Sequence, residues 1–183
     1  MGHDEVQGAG PTAAGGPTSG PEATPPRWLT PAQRDAWIAL LATTVWLPTT
    51  LDAQLRHDAD LTLVEYQVLA WLSMSPERSA RLSDIAPVAN MHLSHLSRVV
   101  TRLEERGWVR RGPDPDDGRA TLAILTDAGW DKVVATAPGH AAEVHRLVFD
   151  NLDAAQTATL SEIGRAIVAA ARPDLTLPRP ARP

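Results

Sequence analysis

Cysteine is absent from the 183-residue sequence, and lysine occurs only once, as Lys132. Without cysteine there is no disulfide scaffold, thiolate metal site, cysteine nucleophile or thiol redox sensor. No apolar stretch approaches the ~18 residues of a membrane span, and the N-terminus lacks the basic and apolar regions of a secretory signal. We therefore expect a soluble, cytoplasmic protein with no membrane partner.

Proline and glycine are concentrated near the two ends of the chain. Residues 1–26 contain five prolines and six glycines, with Val6 as their only large apolar residue. Such segments bury too little apolar surface to offset the entropy that ordering costs. We predict disordered tails over 1–27 and 173–183, and a folded unit between them.

Capping residues and apolar periodicity predict several helices within the folded unit. Thr30 precedes a proline, and Thr62 stands three residues before Glu65 in the pattern of a capping box. Pro48 is predicted to kink or split the first helix, and Pro138 to interrupt or kink a later one.

The middle of the chain changes from helical to strand-like patterning. A short helix around 82–86, a turn and a helix over 92–106 precede Gly107, which is placed to end that helix. Strand-like residues 108–111 and 120–125 flank a turn rich in proline, aspartate and glycine. This order predicts a mainly α fold, a winged helix-turn-helix with a small β-hairpin wing.

The longer helix of this unit is predicted to enter the major groove of DNA. Short hydroxyls, imidazoles and arginines on its exposed face suit base edges and phosphates, while Leu93, Leu96 and Val99 are expected to be buried. Arg119 in the wing is expected to enter the minor groove, with Asp117 pairing to it. The predicted DNA-binding residues are His92, Ser94, His95, Ser97, Arg98, Arg102, Asp117 and Arg119.

The formal charge of −5 argues against a nucleic-acid partner until its distribution is considered. Residues 78–119 contain eight arginines and six acidic residues, which gives this segment a charge of +2, against −7 for the remainder. Phosphate contact depends on local charge, so a basic lobe on an acidic chain is compatible with DNA binding.

Residues 62–130 resemble the multiple-antibiotic-resistance regulator (MarR) family of bacterial transcription factors. The matching motifs are Leu82-Ser83-Asp84-Ile85-Ala86, Ser97-Arg98-Val99-Val100-Thr101-Arg102-Leu103-Glu104-Glu105-Arg106-Gly107, Asp114-Pro115-Asp116-Asp117-Gly118-Arg119 and Leu125-Thr126-Asp127-Ala128-Gly129. The family often has arginine where Gly118 stands, so this wing has one basic residue fewer. The long flanking helices also fit, which extends the resemblance over nearly all of 28–172.

The resemblance implies a homodimer that binds a pseudo-palindromic operator and, in many members, releases it on binding a small phenolic or lipophilic ligand. The expected layout is an N-terminal dimerisation helix over 28–60, a DNA-binding lobe over 61–126 and C-terminal dimerisation helices over 127–172. Such a dimer would present its two recognition helices about one DNA turn apart, ~34 Å.

The terminal helices have apolar faces that a small winged lobe cannot cover, so we expect a second chain to cover them. The candidate interface residues are Leu147, Val148, Phe149, Leu152, Leu160, Ile163 and Ile167. The resemblance places ligands between these helices and the winged lobe. The candidate ligand residues there are Trp37, Thr44, Trp46, His57, Tyr66 and Trp71, together with Arg98. His57 or an arginine could hold a carboxylate, while packing in the core is the alternative role for the tryptophans.

Several alternatives stay open on the sequence alone. His92 and His95, or His140 and His145 near Glu143, have spacings at which a metal could bind, but we expect no metal and no cofactor. Neither a Ser/His/Asp arrangement nor a glycine-rich phosphate loop is present, so an enzyme is not expected. The leading hypothesis is a ligand-responsive repressor. Its alternatives are a DNA-binding regulator without a small ligand, and a small-molecule-binding or enzymatic protein that has lost DNA binding.

Overall fold

The computed structural model describes residues 26–115, 117 and 120–175. The predicted tails therefore lie almost wholly outside the described residues, as do Gly118 and Arg119 in the wing. Contacts divide the chain at Ile38 into two units. In the first, an extended segment leads into the start of helix α1, where Thr30 Oγ1 accepts from Gln33 N and Gln33 Oε1 accepts from Thr30 N. This reciprocal pair confirms the predicted helix start.

The second unit contains the rest of α1 and every other element. The helices are α1 (Pro31–Ala59), α2 (Leu63–Met74), α3 (Leu82–Val88), α4 (Leu93–Glu105), α5 (Asp127–Leu147) and α6 (Ala154–Ala171). The strands are β1 (Ser79–Arg81), β2 (Val109–Pro113) and β3 (Thr121–Leu125). Short 3₁₀ turns cover Pro76–Arg78 and Phe149–Asn151. The mainly α fold with a small β wing is confirmed.

The predicted helix caps are present as hydrogen bonds. Thr62 and Glu65 form the capping box of α2, with Glu65 N to Thr62 Oγ1 at 3.1 Å and Thr62 N to Glu65 Oε2 at 2.9 Å. Thr126 caps α5 and Asp153 caps α6 through their side-chain oxygens. These bonds satisfy amide groups that the first turn of a helix leaves without partners.

Neither internal proline splits its helix, because α1 continues through Pro48 and α5 through Pro138. The predicted split or interruption is therefore wrong for both helices, while the predicted alternative, a kink at each proline, stays a prediction. A helical proline deprives the carbonyl four residues earlier of its donor. Those carbonyls belong to Thr44 and Val134, two exposed residues, where water can replace the missing donor.

The wing is a three-stranded antiparallel sheet in the order β1-β3-β2, rather than the predicted two-stranded hairpin. The central strand, β3, pairs with β2 on one side, where Leu125 lies opposite Val109. It pairs with β1 on its other side, where Ile124 lies opposite Ser79. The three residues of β1 are too few to show an alternating pattern. Their partner strand lies more than 40 residues away, so only the folded chain reveals the pairing.

The hydrophobic core lies within the winged lobe. Its fully buried large side chains come mainly from α2 and α4, together with the end of α1 and Ile85 of α3. Val109, Ala123 and Leu125 extend this core beneath the sheet. The core thus supports α4 from one side and leaves its other side exposed.

Candidate nucleic-acid interface

Helix α4 has one buried face and one exposed face. Leu96, Val99, Val100 and Leu103 have no exposed surface and attach the helix to the core. Leu93, predicted to be buried with them, is 53% exposed. Leu93 lies on the same side of α4 as Val100, seven residues later. It belongs to the first turn of the helix, however, and that turn extends past the end of the core. Helical periodicity identified the buried face of α4 correctly, but it could not show how far the core extends along that face.

The opposite face of α4 carries most of the residues predicted to contact DNA. His92, Ser94, His95, Arg98 and Arg102 are exposed, and Ser97 is half-buried. Positions 95, 98 and 102 follow one another at helical spacing on one side. The structure therefore presents imidazole, hydroxyl and guanidinium groups along a single exposed stripe.

Ion pairs divide the arginines of the lobe into paired and unpaired groups. Arg78 pairs with Asp127, Arg81 with Asp114, Arg102 with Glu65, Arg106 with Asp60 and Arg111 with Glu104. Arg98 on α4 and Arg110 on β2 form no ion pair within the described part of the chain, and both are exposed. Among the described arginines of the lobe, these two have their full charge available to a phosphate or a guanine edge.

Arg102 keeps part of its hydrogen-bonding capacity despite its pair. Its Nε donates to Glu65 Oε1 at 2.9 Å, while its side chain is 48% exposed. Glu65 is almost fully buried, and burial alone would raise the pKa of its carboxyl. The bonds from the Thr62 amide, the Arg102 guanidinium and the Thr62 hydroxyl outweigh burial and lower that pKa.

Arg111 fixes the wing to the recognition helix. Its Nη2 donates to Ser97 O at 2.8 Å and to Thr101 Oγ1 at 3.0 Å, and its guanidinium also pairs with Glu104. The Arg111 amide donates to Glu104 Oε1 at 2.9 Å. These contacts join β2 to α4 along two turns, so the wing and the recognition helix are presented together.

Asp114 organises the base of the wing. Its buried carboxylate pairs with Arg81 of β1 and accepts from Asp117 N at 3.3 Å. The predicted pair of Asp117 with Arg119 involves a residue outside the described ones and stays a prediction. The sequence placed Asp114 in the wing motif but did not predict its pair with Arg81, because 33 residues separate the two.

Two glycines allow the tight backbone geometry found at the end of α4 and at the start of α5. Gly107 has a φ of 73°, which suits glycine, and Trp108 N donates to Leu103 O at 3.0 Å across the helix end. Gly129, in the first turn of α5, lies against the Trp108 carbonyl so closely that a Cβ would collide with it. The Gly107 prediction is confirmed, and Gly129 explains how closely α5 approaches the strand region.

A cavity of about 600 Å³ adjoins the lobe between α1, α2, α3 and α5. Tyr66 and Trp71 are the predicted ligand residues that line it, and Pro48, Met74 and His140 also contribute to its wall. Thr44, Trp46 and His57 lie on exposed parts of α1 and Arg98 on α4, and none of these lines the cavity. Trp37, half-exposed, belongs to the first unit.

The candidate interface residues lie at the end of α5, in the following turn and on α6. Phe149, Leu160, Ile163 and Ile167 are between 38% and 51% exposed, and Leu147, Val148 and Leu152 are half-buried. Helix α6 has no buried residue at all. An apolar helix face without cover is thus present where the sequence predicted it.

No group of three or more His, Asp or Glu side chains in the described ranges could hold a metal ion. His140 instead contacts the Tyr66 ring, and His145 contacts Phe149. Within those same ranges, no helix is long and apolar enough to cross a membrane.

Comparison with known proteins connects this architecture to one family. The sequence model of the MarR family matches residues 61–121. A MarR family transcriptional regulator from Streptomyces coelicolor, crystallised in complex with DNA, is 40% identical with a TM-score of 0.78. The match covers 82% of this chain and 94% of that one.

Curated relatives give a consistent result. The multiple antibiotic resistance protein MarR of Escherichia coli is 30% identical over 101 residues, 55% of this chain and 69% of that protein. The transcriptional repressor IacR of Pseudomonas putida is 34% identical over 80 residues, 44% of this chain and 47% of that protein. The chain spans about half the length of the first curated relatives that it matches. The Streptomyces and Pseudomonas proteins among these relatives are transcriptional regulators. The similarity over almost the whole Streptomyces regulator shows that this chain belongs to the MarR family.

Proposed function

We propose that this chain is a homodimeric, sequence-specific DNA-binding repressor that a small aromatic or lipophilic ligand releases from a pseudo-palindromic operator. The observation that carries the proposal is the exposed stripe of α4, with Arg98 unpaired within the described residues. A regulator of this kind acts on the chromosome and therefore in the cytoplasm.

The DNA-binding step is supported by the way α4 is held. Four fully buried side chains fix the helix to the core, and Arg111 joins it to the wing. A helix held in this way can enter the major groove with little loss of conformational entropy. We assign base and phosphate contacts to His92, Ser94, His95, Ser97, Arg98 and Arg102, and wing contacts to Asp117 and Arg119.

Dimerisation is supported by the uncovered face of α6 and the end of α5. A soluble monomer rarely exposes a large continuous apolar face, since burying apolar surface is favourable by about 25 cal/mol per Å². In a two-fold pair the same residues of both chains would cover one another. We therefore assign 28–60 and 127–172 to dimerisation and 61–126 to DNA binding.

Ligand release is supported by the position of the cavity. Its wall includes Ile85, Val88 and Asn90 of α3 and the turn before α4, together with Leu47 and Leu51 of α1. A ligand seated there would contact both the lobe and a helix assigned to dimerisation. Such a ligand could change the separation of the two recognition helices, on which operator binding depends. Repression, as opposed to activation, is also supported by the repressor IacR among the relatives.

The proposal is tested by selecting duplexes from a random pool with the purified full-length protein at low salt. We expect enrichment of a pseudo-palindrome whose half-site centres lie about one helical turn apart, ~34 Å. Hydroxylated aromatic probes added to that complex should raise the dissociation constant. Failure to retain any duplex at low salt would contradict the proposal. Selection of an operator without any ligand effect would instead support the DNA-binding regulator that lacks a small ligand.

A further inference from the structure

Two arginines of the lobe use both terminal nitrogens of the guanidinium group to hold the protein together. Arg106 donates from Nη1 to Asp60 O and from Nη2 to the Asp60 carboxylate. Arg111 donates from Nη1 to Glu104 and from Nη2 to Ser97 O. The Nη groups are the part of an arginine that can bind two oxygens at once. In both residues the protein already engages them.

Arg102 is held in a different way. Its Nε donates to Glu65 Oε1 at 2.9 Å, whereas its Nη1 and Nη2 form no hydrogen bond with any residue that the structure describes. The Arg102 side chain is 48% exposed and the Glu65 side chain only 7%. The pair therefore fixes the guanidinium at the nitrogen nearest the backbone and leaves the two Nη groups available. Two parallel N–H donors of this kind match two oxygens of a phosphate.

Glu65 is itself fixed in place. Its Oε2 accepts from Thr62 N at 2.9 Å, while Oε1 accepts from Arg102. Burial would raise the pKa of this carboxyl, but the bonds from Thr62 and Arg102 lower it overall, so Glu65 is ionised at neutral pH. The carboxylate cannot turn away from Arg102 without breaking the cap of α2. The start of α2 therefore sets the position of the Arg102 guanidinium.

Arg102 lies near the C-terminal end of α4, on the exposed stripe that also carries His95 and Arg98. In helix-turn-helix proteins, the N-terminal residues of the recognition helix contact base edges. The C-terminal end of such a helix contacts the phosphate backbone in the related homeodomain arrangement. The place of Arg102 on α4 therefore favours a phosphate as its partner over a base.

From this arrangement we infer that Arg102 binds a DNA phosphate through its Nη groups, and that Glu65 is a positioning residue which holds the guanidinium ready for that contact. This role rests on the proposed function and names the DNA group that Arg102 meets. An unrestrained arginine loses rotamer freedom when it binds, whereas Arg102 has already lost much of it on folding. Glu65 thus strengthens DNA binding although it carries the same sign of charge as DNA.

The direction of the Glu65→Gln effect on DNA affinity distinguishes this role from simple electrostatics. Removing a negative charge from the lobe should by itself tighten binding, because DNA is a polyanion. Glutamine, however, has one oxygen in place of two. When that oxygen accepts from the Thr62 amide, the NH₂ group faces Arg102 and cannot accept. We therefore expect Glu65→Gln to weaken binding by about two- to tenfold, the range for one side chain that must be immobilised.

Asp60→Asn is the matched control. It also removes one carboxylate charge that pairs with an arginine of the lobe, but the Nη groups of that arginine, Arg106, are already engaged. Asparagine keeps an acceptor oxygen and tolerates the positive φ of 49° at this position. Asp60→Asn should therefore bind DNA as tightly as the unchanged protein, or more tightly.

A double-mutant cycle with Arg102→Ala separates positioning from a general loss of structure. Dissociation constants of the full-length proteins for the selected duplex are measured by fluorescence anisotropy, and circular dichroism shows that each variant is folded at the assay temperature. We expect that Glu65→Gln no longer weakens binding when Arg102 is absent. If Glu65 acted only as a helix cap, its replacement would weaken binding equally with and without Arg102, which would overturn the positioning role.

The phosphate assignment predicts how the loss depends on salt and sequence. Arg102→Ala should lower the salt slope by about one, and should weaken binding by a similar factor on the selected duplex and on one with altered bases. A loss confined to the selected duplex would indicate a base contact and overturn the phosphate assignment. Unchanged or tighter binding by Glu65→Gln would overturn the role of Glu65 alone. If the unchanged protein retains no duplex at low salt, the proposed function fails together with this role, so the two failures are distinguishable.

Discussion

The Arg102 guanidinium on the recognition helix donates to the Glu65 carboxylate at the start of α2, with 2.9 Å between Nε and Oε1. The same carboxylate caps α2 through the Thr62 amide. Tyr66, the next residue, lines the cavity. One buried carboxylate therefore connects the wall of the proposed ligand site to the helix proposed to read DNA.

Glu65→Gln should separate the two roles of this carboxylate. Glutamine preserves the capping box but removes the charge that Arg102 meets. We expect a loss of about 1–3 kcal/mol in the free energy of unfolding, since hydrogen bonds to charged groups are among the stronger ones. Urea unfolding at pH 7 measures the loss. A double-mutant cycle with Arg102→Ala should show that the two losses are not additive. Additive losses would contradict the pairing.

The same pair predicts a pH dependence of stability. The folded state lowers the pKa of Glu65 below its ordinary value of 4.5. Its contribution is therefore fully present above the unfolded pKa and is lost as the pH falls through the folded one. Between pH 6 and about pH 3 the unchanged protein should lose more stability than Glu65→Gln. If the free energy of unfolding falls equally with pH in the two proteins, the pKa of Glu65 is the same in the folded and unfolded states, which contradicts the prediction.

Gly129→Ala should destabilise the lobe. A Cβ at this position collides with the Trp108 carbonyl, and overpacking against backbone costs about 1–3 kcal/mol. Gly139→Ala is the matched control in the same helix, since its nearest neighbour, Gln54 Nε2, would lie at an ordinary 3.8 Å. Alanine there should be neutral or stabilising by up to about 1 kcal/mol. Equal effects of the two substitutions on the melting temperature would contradict the close approach.

Ile163→Glu should dissociate the proposed dimer. It places a charge in the middle of the uncovered face of α6, where a second chain would have to bury it. Sedimentation velocity should shift from a dimer to a monomer at micromolar concentration. Leu93→Glu, at an equally exposed apolar residue of the DNA-binding lobe, should remain dimeric. A dimer that survives Ile163→Glu unchanged would locate the interface elsewhere.

Local chemistry made much of this fold predictable. The caps at Thr62, Thr126 and Asp153 and the helix end at Gly107 depend on residues a few positions apart, which the sequence displays directly. The uncovered face of α6 was predictable for the same reason, because helical periodicity is local. The motifs around Leu82 and Ser97 were specific enough to point to the family.

Features that depend on distant residues were not predictable in this way. Strand β1 needs β3, and the pair of Arg81 with Asp114 exists only after the sheet has formed. The exposure of Leu93 depends on where the core ends, which no helical pattern encodes. Similarly, the ligand residues on α1 were selected by type, whereas the cavity is lined by neighbours that only packing reveals, such as Pro48 and His140.

Replacing Arg98 tests the proposed contact between α4 and DNA. Arg98→Ala should weaken binding to the selected operator by about 1–3 kcal/mol, or lower the salt slope by about one if the contact is to phosphate. Arg34→Ala removes an exposed arginine from the first turn of α1 and should leave both quantities unchanged. The sequence-based prediction for Arg119→Ala is a loss of affinity without loss of fold.

DNA reading by α4 can be examined by measuring the operator affinity of the unchanged protein and of Arg98→Ala by fluorescence anisotropy across a salt series. We expect an affinity that falls steeply with salt, and a weaker or less salt-dependent complex for Arg98→Ala. Identical affinities and identical salt slopes for the two proteins would contradict the assignment of α4 as the helix that reads DNA.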